Sequence, residues 1–309
     1  MSNILVTGGA GFLGSHLVEQ LLAEGHQVTV LDDLSDAPLS NLSAVKGQYQ
    51  LIQADVRDPL VVETIGQIDI IYHLAANANV PRSVKEPLHD GSVNILGTIN
   101  MLALAHKHNA RFFLASSGAV YGEPQTVPMA EDHIIKPISP YGASKYSAEQ
   151  YVQLYKHLYD VKATIVRFFN MYGPRQRRFV VFDFAHKILA PGDEIVMLGD
   201  GRQMRGQLFV TDAVKGLLLV TEKGTEDIYN IGSANSFSIT SLMETMLPLF
   251  DVQKSLAVSN KSWDGDIQRL VADISKIQAL GFEEDVSLEE GILKFKEWFL
   301  ETYYQQEAV

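Results

Sequence analysis

The glycines at positions 8, 11 and 14 constrain this chain more than any other feature. Ile4–Thr7 is a β-branched run that stops at Gly8-Gly9-Ala10-Gly11-Phe12-Leu13-Gly14. Phe12–Glu24 follows with apolar residues at Leu13, Leu17, Leu21 and Leu22, a helical period that ends at Gly25. A strand, a glycine turn and a helix in that order bring backbone N–H groups up to a bound pyrophosphate, and the helix N-terminus adds unpaired donors and a positive dipole. Glycine triplets alone are common in turns; the flanking strand and helix make this one a dinucleotide loop. Its candidate cofactor contacts are Gly8, Gly11, Phe12, Leu13 and Gly14.

A second strand, Gln27–Leu31, closes on Asp32-Asp33, 18 residues after Gly14. A carboxylate at Asp32 would accept hydrogen bonds from the adenosine ribose and repel a 2′-phosphate. No Arg follows closely, so the sequence favours NAD over NADP. Tyr49–Gln53, Ile68–Leu74, Arg111–Ala115 and Ala163–Phe168 read as further buried strands, with helical stretches at about Ser92–His108 and Pro140–Tyr159. Strands alternating with helices predict a parallel sheet of right-handed βαβ units.

The regularity fades after about Pro174, where shorter elements follow: Lys187–Ala190, Glu194–Leu198, Phe209–Thr221, Ser241–Phe250 and Leu288–Tyr303. The expected fold is α/β: a Rossmann, doubly wound parallel sheet over residues 1–174. A smaller mixed α/β substrate region over 175–309 follows, with some segments interleaved with the first.

Composition narrows the function. Hydrophobic residues make up 46% of the 309, enough for a large core. A formal net charge of −12 repels phosphate backbones and anionic lipid, so neither nucleic acid nor a membrane surface is an expected partner. With no cysteine, thiolate nucleophiles, disulfides, Cys zinc sites and iron–sulfur ligation are all excluded. The nine histidines form no HExxH pattern, so no metal is expected, and no GxSxG elbow marks a serine hydrolase. Met1-Ser2-Asn3 passes into the first strand without a basic n-region, and no apolar run reaches 18 residues. A soluble cytoplasmic protein is the expectation.

Ser139-Pro140-Tyr141-Gly142-Ala143-Ser144-Lys145 reads as a helix start, with Ser139 as N-cap and Pro140 as first helical residue. Tyr141 and Lys145 are then one turn apart on one face. An ammonium near a phenol favours the phenolate and lowers a pKa of about 10 toward the working pH, which makes Tyr141 a candidate general base.

Seven segments in order carry a family likeness: Thr7–Gly14, Asp55-Val56-Arg57-Asp58, His73-Leu74-Ala75-Ala76, Asn94-Ile95-Leu96-Gly97-Thr98, Ser116-Ser117-Gly118-Ala119-Val120-Tyr121-Gly122, Tyr141–Lys145 and Arg167-Phe168-Phe169-Asn170-Met171-Tyr172-Gly173-Pro174. On these the chain resembles the extended short-chain dehydrogenase/reductase superfamily. Within it the likeness is to the NAD-dependent nucleotide-sugar epimerase/dehydratase family typified by UDP-glucose 4-epimerase, over nearly the whole chain. The resemblance implies Tyr141 as proton acceptor for a sugar hydroxyl, Lys145 as its partner on the nicotinamide ribose, and Ser117 as the hydroxyl that bonds the reacting oxygen. It implies Asp55 and Val56 at the adenine, and Leu74, Ala75, Ala76, Asn94, Ser116 and Phe168 along the cofactor. Asn170 is expected on the substrate diphosphate. A homodimer through the helices at Ser92–His108 and Pro140–Tyr159 is implied as well.

The implied chemistry begins by oxidising the sugar carbinol to a 4-keto sugar. In 4,6-dehydratases of the family an Asp-Glu pair follows the catalytic Thr, and in related decarboxylases a Glu does. Here Gly118 and Ala119 follow Ser117 and transfer no proton, which favours C4 epimerisation of a UDP-hexose; dehydration in a specialised pathway is the alternative. A non-catalytic NAD sensor would commonly lack the Tyr or the Lys, and both are present. Gly199-Asp200-Gly201-Arg202-Gln203-Met204-Arg205 matches the stretch that brings an Arg to the diphosphate, and a guanidinium fork suits that grip. The chain departs from the family at Gly206-Gln207, where Asp-Phe is expected, and at Trp263, where many relatives carry Arg. Arg269 is a second candidate phosphate ligand, and Arg175, Arg177 and Arg178 form a basic loop.

Overall fold

The computed structural model describes residues 1–261 and 265–304. Trp263 lies outside the described residues. Seven parallel strands form the central sheet: β1 (Asn3–Thr7), β2 (Gln27–Asp32), β3 (Gln50–Gln53), β4 (Ile70–His73), β5 (Arg111–Ser117), β6 (Ala163–Phe168) and β7 (Ile228–Ile231). Their order is β7-β6-β5-β4-β1-β2-β3. The chain therefore runs outward from β1 through β2 to β3, then returns to β4 on the other side. This reversal opens a crevice above the C-terminal ends of β1 and β4, where α/β sheets of this kind bind ligands.

Both faces of the sheet are covered, which is why its strands read as apolar runs. Ile4 and Val6 join the core on one side, while Leu5 between them joins the core on the other. The first core receives Leu13, Leu17, Val18 and Leu21 of α1 (Phe12–Ala23). Each such buried side chain contributes about 1.5–3 kcal/mol. The second core receives Met101, Leu102 and Leu104 of α2 (Gly97–His108) with Ala148 and Val152 of α3 (Pro140–Tyr159).

Beyond residue 174 the chain crosses back to the sheet. Helix α4 (Val210–Lys223) packs beside α1, and β7 adds to β6 in parallel register. The other strands of this part are short: Met204–Arg205 lies between Phe237–Ser238 and Arg269–Leu270, and Glu194–Met197 pairs Ser255–Val258. The last helix, α5 (Leu288–Tyr303), starts from a capping box of Ser287 and Glu290 and seals the first core with Ile292, Phe295 and Phe299. Among the described residues no helix is long and apolar enough to cross a membrane.

Candidate active site

The turn after β1 is built for close backbone approach. Gly8 has φ +67°, and its N–H donates to the Leu31 carbonyl at 2.8 Å. A Cβ on Gly8 would lie 2.8 Å from the Ala75 nitrogen, and one on Gly14 would strike the Gly8 carbonyl oxygen. Gly11 caps α1 with no side-chain acceptor, so the first-turn N–H groups around Phe12 and Leu13 are left to the crevice.

Asp32 ends β2, buried, with Oδ2 accepting from Ala10 N and Oδ1 from Leu34 N, both at 2.9 Å. Burial pushes its carboxyl up and the two backbone donors oppose this. Each oxygen keeps a lone pair for a ribose hydroxyl. The glycine turn, the bare helix end and this carboxylate together fit a dinucleotide.

Asp55 and Val56 follow β3. Arg57 grips Asp55 through Nε and Nη2, and that hydrogen bonding holds the carboxyl below its ordinary value. Val56 is buried against Gly97, where a Cβ would approach its Cγ2 to 2.7 Å. Leu74, Ala75 and Ala76 are half-buried at the end of β4. Behind them His73 is locked between two threonines: Thr98 donates to the Asn94 carbonyl, so it accepts from His73 Nε2–H, and Nδ1 accepts from Thr7 Oγ1 at 2.8 Å. Thr7 Oγ1 in turn accepts from Ala75 N, tying the cofactor-side loop to β1. Burial brings His73 down to about 3, so it is neutral.

Ser117, Tyr141 and Lys145 come together at the ends of β5 and α3. Ser117 is the last residue of β5; its Oγ accepts from Ala119 N at 3.2 Å, and its hydroxyl favours the ionised Tyr141 phenol. Ser139 caps α3 by accepting from Gly142 N at 3.1 Å, with Pro140 first in the helix, and this places Tyr141 and Lys145 on one face. Burial pushes Tyr141 up, the Ser117 hydroxyl pulls it down, Asp90 pushes it up and Arg178 pulls it down; the result is upward. Lys145 is brought down to about 8 by burial, against the opposing charges of Glu149 and Asp90. A lowered Tyr141 was the expectation from its spacing to Lys145. In the chain by itself desolvation outweighs its stabilising neighbours.

The remaining candidates divide between the crevice and its supports. Phe168 ends β6 in register with Ser117, and Asn170 follows half-buried, its carbonyl accepting from Leu208 N. Ser116 is buried and donates to Glu149 at 2.5 Å, so it faces α3. Asn94 sits in a π-helical turn, Ser92–Leu96, that leads into α2. Its Oδ1 accepts from Asn77 N and its Nδ2 bonds Ser144. Arg205 pairs with Asp266 at 2.8 Å and donates to the Met204 and Gln268 carbonyls. Arg269 lies opposite Met204 in the neighbouring strand and so shares the face of Met204, away from Arg205. It is exposed, with the Pro124 carbonyl 3.5 Å away. The two arginines are not brought together.

The family profile described as GDP-mannose 4,6 dehydratase matches residues 5–295. This chain belongs to that family, a branch of the extended short-chain dehydrogenases/reductases. It is 34% identical to a UDP-glucose 4-epimerase of Mycolicibacterium smegmatis, over 96% of this chain and 97% of the relative. It is 35% identical to UDP-glucuronic acid decarboxylase 1 of Xenopus tropicalis, over 96% of this chain and 72% of the relative. Among solved structures, UDP-glucose 4-epimerase of Thermotoga maritima with UDP-glucose superposes with a TM-score of 0.91 at 35% identity, covering 97% of this chain and 99% of that one. The dTDP-glucose 4,6-dehydratase of Streptomyces venezuelae with NAD bound gives 0.91 at 29% identity, covering 98% and 99%.

In this member of the family the supports under the site are what sequence reasoning missed. Glu149 accepts from Arg167 Nε at 2.9 Å and from Nη2 at 2.7 Å, and Arg167 Nη1 donates to Tyr121 Oη at 2.9 Å. Glu149 lies four residues after Lys145 on α3, a helical spacing that could have exposed it. Arg167 heads the Arg167–Pro174 segment but carries no spacing that points to Glu149, and Asp90 carries none, because strand register and the short helix Pro87–Gly91 bring them in. Among the described residues no His, Asp and Glu cluster could hold a metal.

Proposed function

We propose that the chain catalyses NAD-dependent epimerisation of a nucleotide sugar at C4, on a UDP-hexose or a close relative. Tyr141 acts as base, with Ser117 and Lys145 beside it. The observation that carries this reading is Ser117 at the end of β5 and Tyr141 at the start of α3, converging on one site, with Gly118 and Ala119 next after Ser117. Ser117 and Tyr141 hold the C4 oxygen between a hydroxyl and a phenol, so Tyr141 Oη can take the C4 hydroxyl proton and later return it to the ketone oxygen. NAD, in the Gly8–Gly14 turn and against Asp32, supplies the hydride acceptor and donor.

Elimination or decarboxylation would need a further acid, base or carboxylate grip beside Ser117. Gly118 lies under the Phe169 ring, the Ala119 side chain has no polar atom, and Glu123 accepts from Gln268 N at 2.7 Å. These residues therefore support hydride return to the opposite face of the sugar over onward chemistry. Asn170 and Arg205 are assigned to the substrate diphosphate, with Arg269 a weaker candidate on the far face.

The purified protein, offered UDP-, dTDP-, GDP- and CDP-sugars, should interconvert one C4-epimeric pair with no loss of water or carbon dioxide, followed by NMR. A 4-keto-6-deoxy sugar or a pentose product with no C4 epimer would sink the epimerase reading.

A homodimer through α2 and α3 belongs to the same reading. Tyr151, Leu154 and Leu158 are exposed along one stripe of α3, and Leu96 is exposed just before α2. Sedimentation should return about twice the 34.2 kDa of the chain, and Leu154→Glu with Leu158→Glu should return the monomer. A monomeric wild type overturns this.

A further inference from the structure

Four buried charges lie under the Ser117–Tyr141–Lys145 group: Asp90, Lys145, Glu149 and Arg167, each 3% exposed or less. Their signs cancel. Glu149 is taken by Arg167 through two hydrogen bonds. Asp90 is different, because its hydrogen-bond partners among the described residues are all neutral. Oδ1 accepts from Asn77 Nδ2 at 2.8 Å and Asn94 Nδ2 at 3.2 Å, and Oδ2 accepts from Ser144 Oγ at 2.6 Å.

These partners are informative. Asn77 follows the Leu74-Ala75-Ala76 stretch on the cofactor side, Asn94 lies in the π turn before α2, and Ser144 sits between Tyr141 and Lys145 on α3. One side chain thus ties three separate elements behind the site. A wholly buried carboxylate bonded only to neutral groups is unfavourable unless a cation faces it. Ser144, which Asp90 holds, precedes Lys145 on α3, and the charge of Asp90 favours the Lys145 ammonium. We propose that Asp90 is a positioning residue, fixing the Tyr141–Lys145 turn against the cofactor-side loop and serving as the counter-charge that keeps Lys145 an ammonium.

This inference rests on Tyr141 and Lys145 being the working pair, and its central test needs no substrate. The groups that bear on Lys145 are Glu149 from α3, Asp90 from the short helix Pro87–Gly91, His73 from β4, and Arg167 from β6 through Glu149; Tyr141 lies one turn away on α3. His73 is neutral, and both Glu149 and Asp90 favour the Lys145 ammonium, Glu149 the more strongly; Glu149 is also held by Arg167, whereas the hydrogen-bond partners of Asp90 are neutral. Removing the charge of Asp90 therefore makes Lys145 harder to protonate and Tyr141 easier to ionise, so both midpoints move to lower pH.

The holoenzyme labelled with [13C]lysine gives the readout, the Lys145 signal being the one lost in Lys145→Met. Asp90→Asn should move the Lys145 titration midpoint to lower pH than in the wild type. Ser144→Ala keeps the charge but cuts the tether, so it should leave the midpoint in place. It should lower kcat about tenfold while KM changes less than about twofold. An unmoved midpoint in Asp90→Asn overturns the counter-charge role, and an unchanged kcat in Ser144→Ala overturns the tether.

Should Asp90→Asn fail to fold, Asp90→Asn combined with Lys145→Met becomes the deciding variant. Recovered folding supports the pairing, and a double variant no better than the single one refutes it. Wild-type protein inactive on every nucleotide sugar would count against the epimerase reading and leave the Lys145 midpoint measurable.

Discussion

Tyr141→Phe is expected to lower turnover by between about a hundredfold and ten-thousandfold, with NAD retained at the wild-type level. The phenol is a group that the Ser117 hydroxyl favours in its ionised form and that lies on the same helix face as Lys145. Phenylalanine keeps the ring packing and removes only the proton carrier. The loss should fall on kcat, because the hydroxyl–phenol contact changes its protonation only as the C4 oxygen changes charge. Folding should change little: Ser117 keeps its bond from Ala119 N, and a single hydrogen bond is worth about 1 kcal/mol. A variant that lost NAD along with activity would place Tyr141 in cofactor binding. One that kept full turnover would place the base elsewhere and reopen the reading of the chain as an NAD-binding protein without catalysis.

That expectation could be framed from sequence because its residues lie in local patterns. The glycine turn, the Ser139-Pro140 helix start and the Tyr141–Lys145 spacing each depend on neighbours within one turn or one loop, and backbone stereochemistry translates them directly. Pro140–Tyr159 and Leu288–Tyr303 take the same bounds in the structure as in the periodicity. The strand Ile228–Ile231 carries no sequence signal, since four residues after a Gly-Thr-Glu-Asp loop have no period of their own. It becomes a strand because β6 offers an edge. The helix at Val180–Leu189 was read only at its end, since Phe179–Phe184 is rich in β-branched and aromatic residues that suit a strand equally well.

Electrostatic balance was the least legible part. The spacing of Tyr141 and Lys145 predicts a lowered phenol. Burial is a property of the whole fold, and it pushes Tyr141 up and Lys145 down. The overall charge of −12 likewise says nothing about the local sum beneath the site, where Asp90 and Glu149 meet Lys145 and Arg167 in equal number. Long-range pairing of this kind depends on strand register: Arg167 faces Glu149 only because β6 lies beside β5 and under α3.

Breaking that balance should be the most damaging single change to stability. Arg167→Met is expected to destabilise the fold by about 3–5 kcal/mol and to lower Tm by roughly 10 °C. Arg167 Nε and Nη2 satisfy Glu149, Nη1 satisfies Tyr121 Oη and the Glu131 carbonyl, and the guanidinium lies 4.9 Å from the Tyr121 ring centre. Methionine fills the space of the stem and supplies none of these donors. Glu149 would then be left with Ser116 and the charge of Lys145. The effect separates into a charge part and a packing part through Glu149→Gln. If the uncompensated carboxylate dominates, Arg167→Met with Glu149→Gln should be more stable than Arg167→Met alone, because the buried charge has gone with its partner. Equal melting of the single and double variants would assign the loss to the Tyr121 and Glu131 contacts. A single variant within about 1 kcal/mol of wild type would mean that water reaches Glu149, contrary to its burial between α3 and β6.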